Sequence, residues 1–306
     1  TAPDTDEKAE KKRKEYLGGF EVVRREYHYS HLWTFEFAKA LEKPTAGKQH
    51  TKGHDFTVRS FAWSPDGARI AFDATINTDL IQIGTADLYT LTLDDGAVNK
   101  IVSQEGPDTS PIWSPDGAQI AFQSAMGGKQ FFHSNGRIAV VSANGGTPRS
   151  LTDAFDEDPD LVDWLPSGIY FQALQKTSSH LFRLDPSTKR ITRLTAPASL
   201  IANGFNLTPD GRTMTYAAFG PKSLSEIYTT PVEALAPVKL TDMTAQAKDL
   251  QLASREVITW KSLDGTPIDG ILIKPAGFDP TKKYPLLCII HGGPTGIDFP
   301  SMIDSR

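Results

Sequence analysis

Phe61-Ala-Trp-Ser-Pro-Asp-Gly-Ala-Arg-Ile-Ala-Phe72 reads as two apolar strands joined by a tight turn. Proline sets φ near about −65°, aspartate offers the turn a side-chain acceptor, and glycine takes dihedrals that other residues resist. Apolar and aromatic residues on both flanks make the unit a hairpin. It returns as Pro111-Ile-Trp-Ser-Pro-Asp-Gly-Ala-Gln-Ile-Ala-Phe122. Altered forms follow as Val162-Asp-Trp-Leu-Pro-Ser-Gly-Ile-Tyr-Phe171 and Phe205-Asn-Leu-Thr-Pro-Asp-Gly-Arg-Thr-Met-Thr-Tyr216. Trp63, Trp113, Trp164 and Leu207 thus fall 50, 51 and 43 residues apart. A period of about 40–50 residues carrying strands predicts propeller blades.

A second hairpin follows each first one. Asp87–Leu93, Arg137–Val141, His180–Leu184 and Glu226–Thr230 lead through turns to Lys100–Val102, Arg149–Thr152, Thr192–Thr195 and Lys239–Thr241. Two hairpins per period make a four-stranded blade. His31-Leu-Trp-Thr-Phe-Glu-Phe37 reads as the second half of a further blade. The fixed place of the tryptophans beside each turn predicts packing between blades. A partial ring leaves a blade face unpacked, so further sequence upstream is expected to close it. The fold class is therefore mainly β, a propeller of four to five blades over residues 1–250.

Near residue 250 the repeat stops. Glu256-Val-Ile-Thr-Trp260 and Ile268-Asp-Gly-Ile-Leu-Ile-Lys274 form a long hairpin around Ser262-Leu-Asp-Gly-Thr266. Leu286-Leu-Cys-Ile-Ile290 is then a short apolar run stopped by His291-Gly-Gly-Pro294, the pattern of a strand buried on both faces of a parallel sheet. Within it Cys288, the single cysteine, reads as an inert core thiol and permits no intrachain disulfide. Residues 251–306 are expected to begin a second, truncated α/β domain. Its apolar strand would stand in water unless helices cover it.

Composition narrows the function classes. A net charge of −5 gives no reason to invoke nucleic acid or an anionic membrane surface. No apolar stretch approaches the roughly 20 residues of a spanning helix, and Thr1 to Glu15 does not resemble a signal peptide. The compartment stays open, as does homo-oligomerisation. The histidines lack metal-ligand spacing, so neither a metal nor a cofactor is expected. Asp4 to Glu15 mixes five acidic and five basic residues and reads as a solvated helix or loop. The cluster Asp153, Asp156, Glu157, Asp158, Asp160 and Asp163 is read as a solvated loop before Trp164, with capture of a substrate ammonium or a cation in the central cavity as the alternative. Phe131, Phe132 and His133, on a Gly-rich connector, are candidates for projection into a substrate passage.

The order of Trp-Ser-Pro-Asp-Gly repeats, then Leu263-Asp-Gly-Thr-Pro-Ile-Asp-Gly-Ile-Leu-Ile-Lys-Pro275, then His291-Gly-Gly-Pro294, resembles the prolyl oligopeptidase family of serine peptidases. The likeness is strongest to its acylaminoacyl-peptidase and dipeptidyl-peptidase 5-like branch, and it covers nearly the whole chain. The resemblance implies a seven-bladed propeller that gates short peptides to an α/β-hydrolase domain. Gly292 and Gly293 are then the candidate catalytic residues, their backbone N–H groups forming part of an oxyanion hole. His291 has a supporting structural role in that motif and is not the general base. No Gly-x-Ser-x-Gly elbow occurs, so the nucleophile, acid and base are expected elsewhere in the parent polypeptide, and the chain alone is expected to be inactive. Its partners would be short peptides and the remainder of the same polypeptide. Relatives that release dipeptides hold the substrate amine with a Glu-Glu doublet, which this sequence lacks. A non-catalytic TolB-like scaffold and an esterase are the competing readings.

Overall fold

The computed structural model describes residues 2–3, 7–18, 27–195, 200–292 and 296–303. Among them are four antiparallel four-stranded sheets, each with its strands in sequence order. The first comprises Thr57–Trp63, Arg69–Thr75, Asp87–Thr92 and Val98–Val102. The second comprises Asp108–Trp113, Gln119–Ser124, Arg137–Ser142 and Arg149–Ser150. Pro159–Leu165, Gly168–Gln175, Ser178–Leu184 and Ile191–Arg193 form the third. Ile201–Leu207, Thr213–Gly220, Ser223–Pro231 and Val238–Lys239 form the fourth. These are the blades that the repeat predicts. The chain divides into two compact units, Thr1–Asp156 with the first two sheets and Glu157–Arg306 with the other two.

The repeated turn works through one hydroxyl. Ser64 Oγ donates to the Asp66 carboxylate at 2.5 Å and accepts from the Arg69 N–H at 2.8 Å. Asp66 also accepts from the Ala68 N–H at 3.0 Å, and Gly67, at φ 69°, donates to the Ser64 carbonyl. Ser114 and Asp116 repeat this set, as do Thr208 and Asp210. The hydrogen bonds hold the Asp66, Asp116 and Asp210 carboxyls below the usual range, the hydroxyl bond contributing most. In the third sheet, where Pro-Ser replaces Pro-Asp, the turn contracts and Leu165 pairs directly with Gly168.

A second recurring device closes the outer strands. Threonine hydroxyls of Thr152, Thr195 and Thr241 accept from the N–H groups of Ile138, Leu181 and Ile227 at 2.9, 3.0 and 2.9 Å. Thr51 does the same for Leu32 at 2.9 Å, beside short pairings of Trp33 with Gln49 and Thr34 with Lys48. Residues 30–51 thus carry the closing half of a blade, as expected, but the strand ends earlier than predicted. Phe37–Glu42 is an α-helix, because Ala, Lys, Leu and Glu favour helix where no strand partner competes. The charged opening forms a helix over Glu7–Leu17.

Packing between sheets is visible within the first unit. Trp113 is 6% exposed; its indole N–H donates to the Ala62 carbonyl of the preceding sheet at 3.0 Å. The Arg69 guanidinium lies 4.7 Å above the same ring and reaches the Gly117 carbonyl at 3.2 Å. Around this contact Ala71, Leu88, Ile120, Phe122 and Val141 form one buried core. Trp63, at the equivalent place in the first sheet, is 48% exposed. In the second unit Leu165, Tyr170, Phe205, Leu207 and Met214 form the corresponding core.

The 254–274 hairpin forms as predicted, pairing Ser254–Lys261 with Pro267–Lys274 around a Ser262–Asp264–Gly265 turn of the same construction. The predicted buried strand does not form. Residues 286–290 are irregular, with Leu286, Leu287 and Ile290 above 80% exposed. Among the described residues no strand pairs with them, and an apolar run cannot bury itself without a paired neighbour. Cys288 is accordingly exposed, not a core thiol.

Trp113→Ala is expected to destabilise the chain by about 3–5 kcal/mol, the cost of a large aromatic cavity. Trp63→Ala should cost far less. Denaturant unfolding of the two variants, followed by circular dichroism, checks the difference.

Candidate functional site

The predicted catalytic glycines lie at the end of the exposed segment. Gly292 is exposed, with open space where a Cβ would project, and the His291 Nδ1 lies 3.0 Å from its carbonyl oxygen. Gly293 lies outside the described residues. Gly292 therefore has open space beside it, and apart from its neighbour His291 the described residues bring no nucleophile, acid or base to it as hydrogen-bond partner. Most of the acidic cluster is exposed; Asp163 is half-buried and burial raises its carboxyl, partly offset by the Trp164 N–H at 2.8 Å. Among the described residues no group of three or more His, Cys, Asp or Glu is placed to hold a metal, and no helix is long and apolar enough to cross a membrane.

The structure assembles a different cleft, between the first two sheets of the first unit. It has a volume of about 300 Å³ and is lined by Arg59, Ser60, Asp73, Ile83, Thr109 and Ser110, with Pro107. Both first strands are irregular here. The first sheet shifts register between Val58 and Ser60, and the second between its Ala121 and Gln123 pairings. Such bulges re-aim side chains. Ser110 sits at φ 56°, a conformation uncommon for a non-glycine residue, and its N–H donates to Asp73 Oδ1 at 3.2 Å. Ser60 Oγ also donates to that oxygen, and the Arg59 Nε lies 4.0 Å from the other. Burial raises the Asp73 carboxyl against these bonds.

Between the cleft residues Pro107 and Thr109 in sequence, Asp108 is fully buried. Its Oδ1 accepts from Gln104 Nε2 at 2.8 Å and Ser124 Oγ at 2.6 Å, while Oδ2 has no partner among the described residues. Burial pushes its carboxyl up to about 6; the Ser124 and Gln104 bonds oppose this and the Asp87 charge adds to it. Sequence reading missed Arg59, Asp73, Asp108 and Ser110, because 35 or more residues separate the two sheets' contributions and no motif joins them. The doubled turn motif signalled only that the two strands are equivalent.

A family model described as the TolB β-propeller domain matches residues 42–250. The chain is 27% identical over 264 residues to dipeptidyl-peptidase 5 of Porphyromonas gingivalis, covering 82% of this chain and 38% of that protein. A solved acylaminoacyl peptidase, in complex with Z-Gly-Gly-Phe-chloromethyl ketone, superposes with a TM-score of 0.60 at 21% identity, covering 78% of this chain and 36% of its own. TolB from Acinetobacter baumannii superposes with a TM-score of 0.50 at 19% identity, covering 75% and 58%. The structural likenesses establish the fold. The chain spans little more than a third of the length of the Porphyromonas relative.

Because the Asp108 carboxyl is raised above its unfolded value of about 3.8, the folded state binds the extra proton. Its penalty is absent below about pH 4, grows as pH rises towards 6 and is complete above. Asp108→Asn should remove that pH dependence, worth at most about 3 kcal/mol. Comparing chemical unfolding of both proteins at pH 5 and pH 8 measures it; the variant is expected to gain relative stability at pH 8.

Proposed function

We infer that this chain, which belongs to the TolB β-propeller domain family, is the propeller-bearing part of a serine peptidase that cleaves short peptides. The observation that carries this reading is its similarity to dipeptidyl-peptidase 5 over most of the chain, joined to the His291-Gly-Gly-Pro294 motif beyond the family-matched residues. In this reading residues 1–250 belong to the propeller and 251–306 open an α/β-hydrolase domain. The remainder of the parent polypeptide supplies the Ser-His-Asp triad, further blades and the cover for Leu286 to Ile290.

Gly292 and Gly293 would then serve acyl transfer with their backbone N–H groups. As the serine oxygen attacks the scissile carbonyl, negative charge grows on the carbonyl oxygen. Donors fixed in advance stabilise that charge without reorganisation, an effect worth about 10²–10³-fold per donor in kcat. The open space beside Gly292 suits it to close approach by a substrate. The propeller restricts access, so length selects the substrate before the triad does.

TolB β-propeller domain membership also suits a non-catalytic protein-binding scaffold. Kinetics separate the two. The intact gene product is expected to hydrolyse chromogenic di- and tripeptide substrates, with kcat/KM falling by at least about tenfold for chains beyond about ten residues. Absence of hydrolysis across free and acylated N-termini would leave the scaffold reading standing. Equal turnover of long and short peptides would remove the gate.

A further inference from the structure

We propose that the cleft between the first two sheets binds the C-terminal carboxylate of a short peptide, with Arg59 as the anion-binding group. The cleft's about 300 Å³ is at the small end of ligand sites, enough for a peptide terminus and too little for a folded partner. Arg59 has the one charged side chain on its wall able to recognise an anion. Its single polar contact among the described residues is the long approach of Nε to Asp73, so both terminal nitrogens of the guanidinium are unengaged. A planar fork of this kind matches a carboxylate with two parallel hydrogen bonds.

The other wall groups fit the rest of a peptide end. Ser60 and Thr109 supply hydroxyls, and Ile83 and Pro107 supply apolar surface for a terminal side chain. Ile83 lies on the 3-10 turn Leu80–Thr85, whose Leu80 and Ile81 are exposed at 84% and 59%. A peptide with an apolar final residue therefore meets apolar surface in the cleft and on that turn. Asp73 does not block the anion. One of its oxygens is occupied by the Ser60 hydroxyl and the Ser110 N–H, and the other faces the Arg59 Nε, which leaves the outer edge of the guanidinium for the ligand. Ser110, held at its strained φ by that same bond, fixes the cleft in place.

The proposal rests on the peptidase reading for the choice of a peptide as ligand, and its test reads binding alone. Titration calorimetry of the full chain would compare acetyl-Gly-Leu as the free acid with acetyl-Gly-Leu-amide. The acid is expected to bind about tenfold more tightly or better, as a charge-assisted pair should. Arg59→Gln should bring the acid to the level of the amide, and Arg59→Lys should recover part of the difference, with thermal unfolding confirming that each variant folds. The acid-to-amide ratio of the unaltered chain decides the matter even if a variant fails to fold. Equal affinity for acid and amide, no binding of the acid at millimolar concentration, or a folded Arg59→Gln chain that binds as before would each overturn the proposal. A chain that binds the acid while the intact gene product cleaves nothing would sink the peptidase reading and leave this site standing.

Discussion

A four-stranded antiparallel sheet with apolar side chains on both faces is stable only when each face meets another sheet. In the first unit that requirement is met at Trp113, whose ring fills the gap between sheets and whose indole N–H ends on the Ala62 carbonyl. Arg69 covers the ring and ties itself to the Gly117 carbonyl of the next turn. The Arg59–Asp73 cleft lies between the same two first strands that this contact joins. The cleft exists because the two first strands are fixed side by side.

Two small hydrogen-bond devices make the sheets repeatable. A serine or threonine hydroxyl organises the inner turn, and a threonine hydroxyl at the outer edge holds the start of the third strand. At Glu226 the second device is reinforced. Burial alone would raise that carboxyl, yet Thr241, Thr244 and the Met243 N–H hold it at about 2. His31 and His180 occupy the same place before Leu32 and Leu181 and touch the same kind of threonine. Short polar residues thus determine where each strand of the repeat begins and ends.

The blades were legible because Ser-Pro-Asp-Gly encodes a turn locally, with all its hydrogen bonds inside six residues. The 254–274 hairpin was legible for the same reason. The helix at Phe37–Glu42 was not, since His31 to Phe37 alternates like a strand until its partner runs out at Lys48. Leu286 to Ile290 has the composition of a buried strand, but composition cannot supply the neighbours that bury it. Gly292 was picked out by motif, and its surroundings do not yet enclose a reaction. Arg59, Asp73 and Ser110 carried no signal at all. Their meeting depends on register between sheets, and register between distant segments is not written in any one of them.

The exposed apolar segment and the propeller sheets have one explanation in common under the proposed function: a hydrolase domain folds onto the first and is gated by the second. The most direct measurement is covalent labelling of the intact gene product with a serine-directed fluorophosphonate, followed by mass spectrometry of its peptides. The account predicts stoichiometric modification of one serine within a Gly-x-Ser-x-Gly sequence, outside the 306 residues described by this chain. An unlabelled protein, or a label on a serine among these 306 residues, would contradict it.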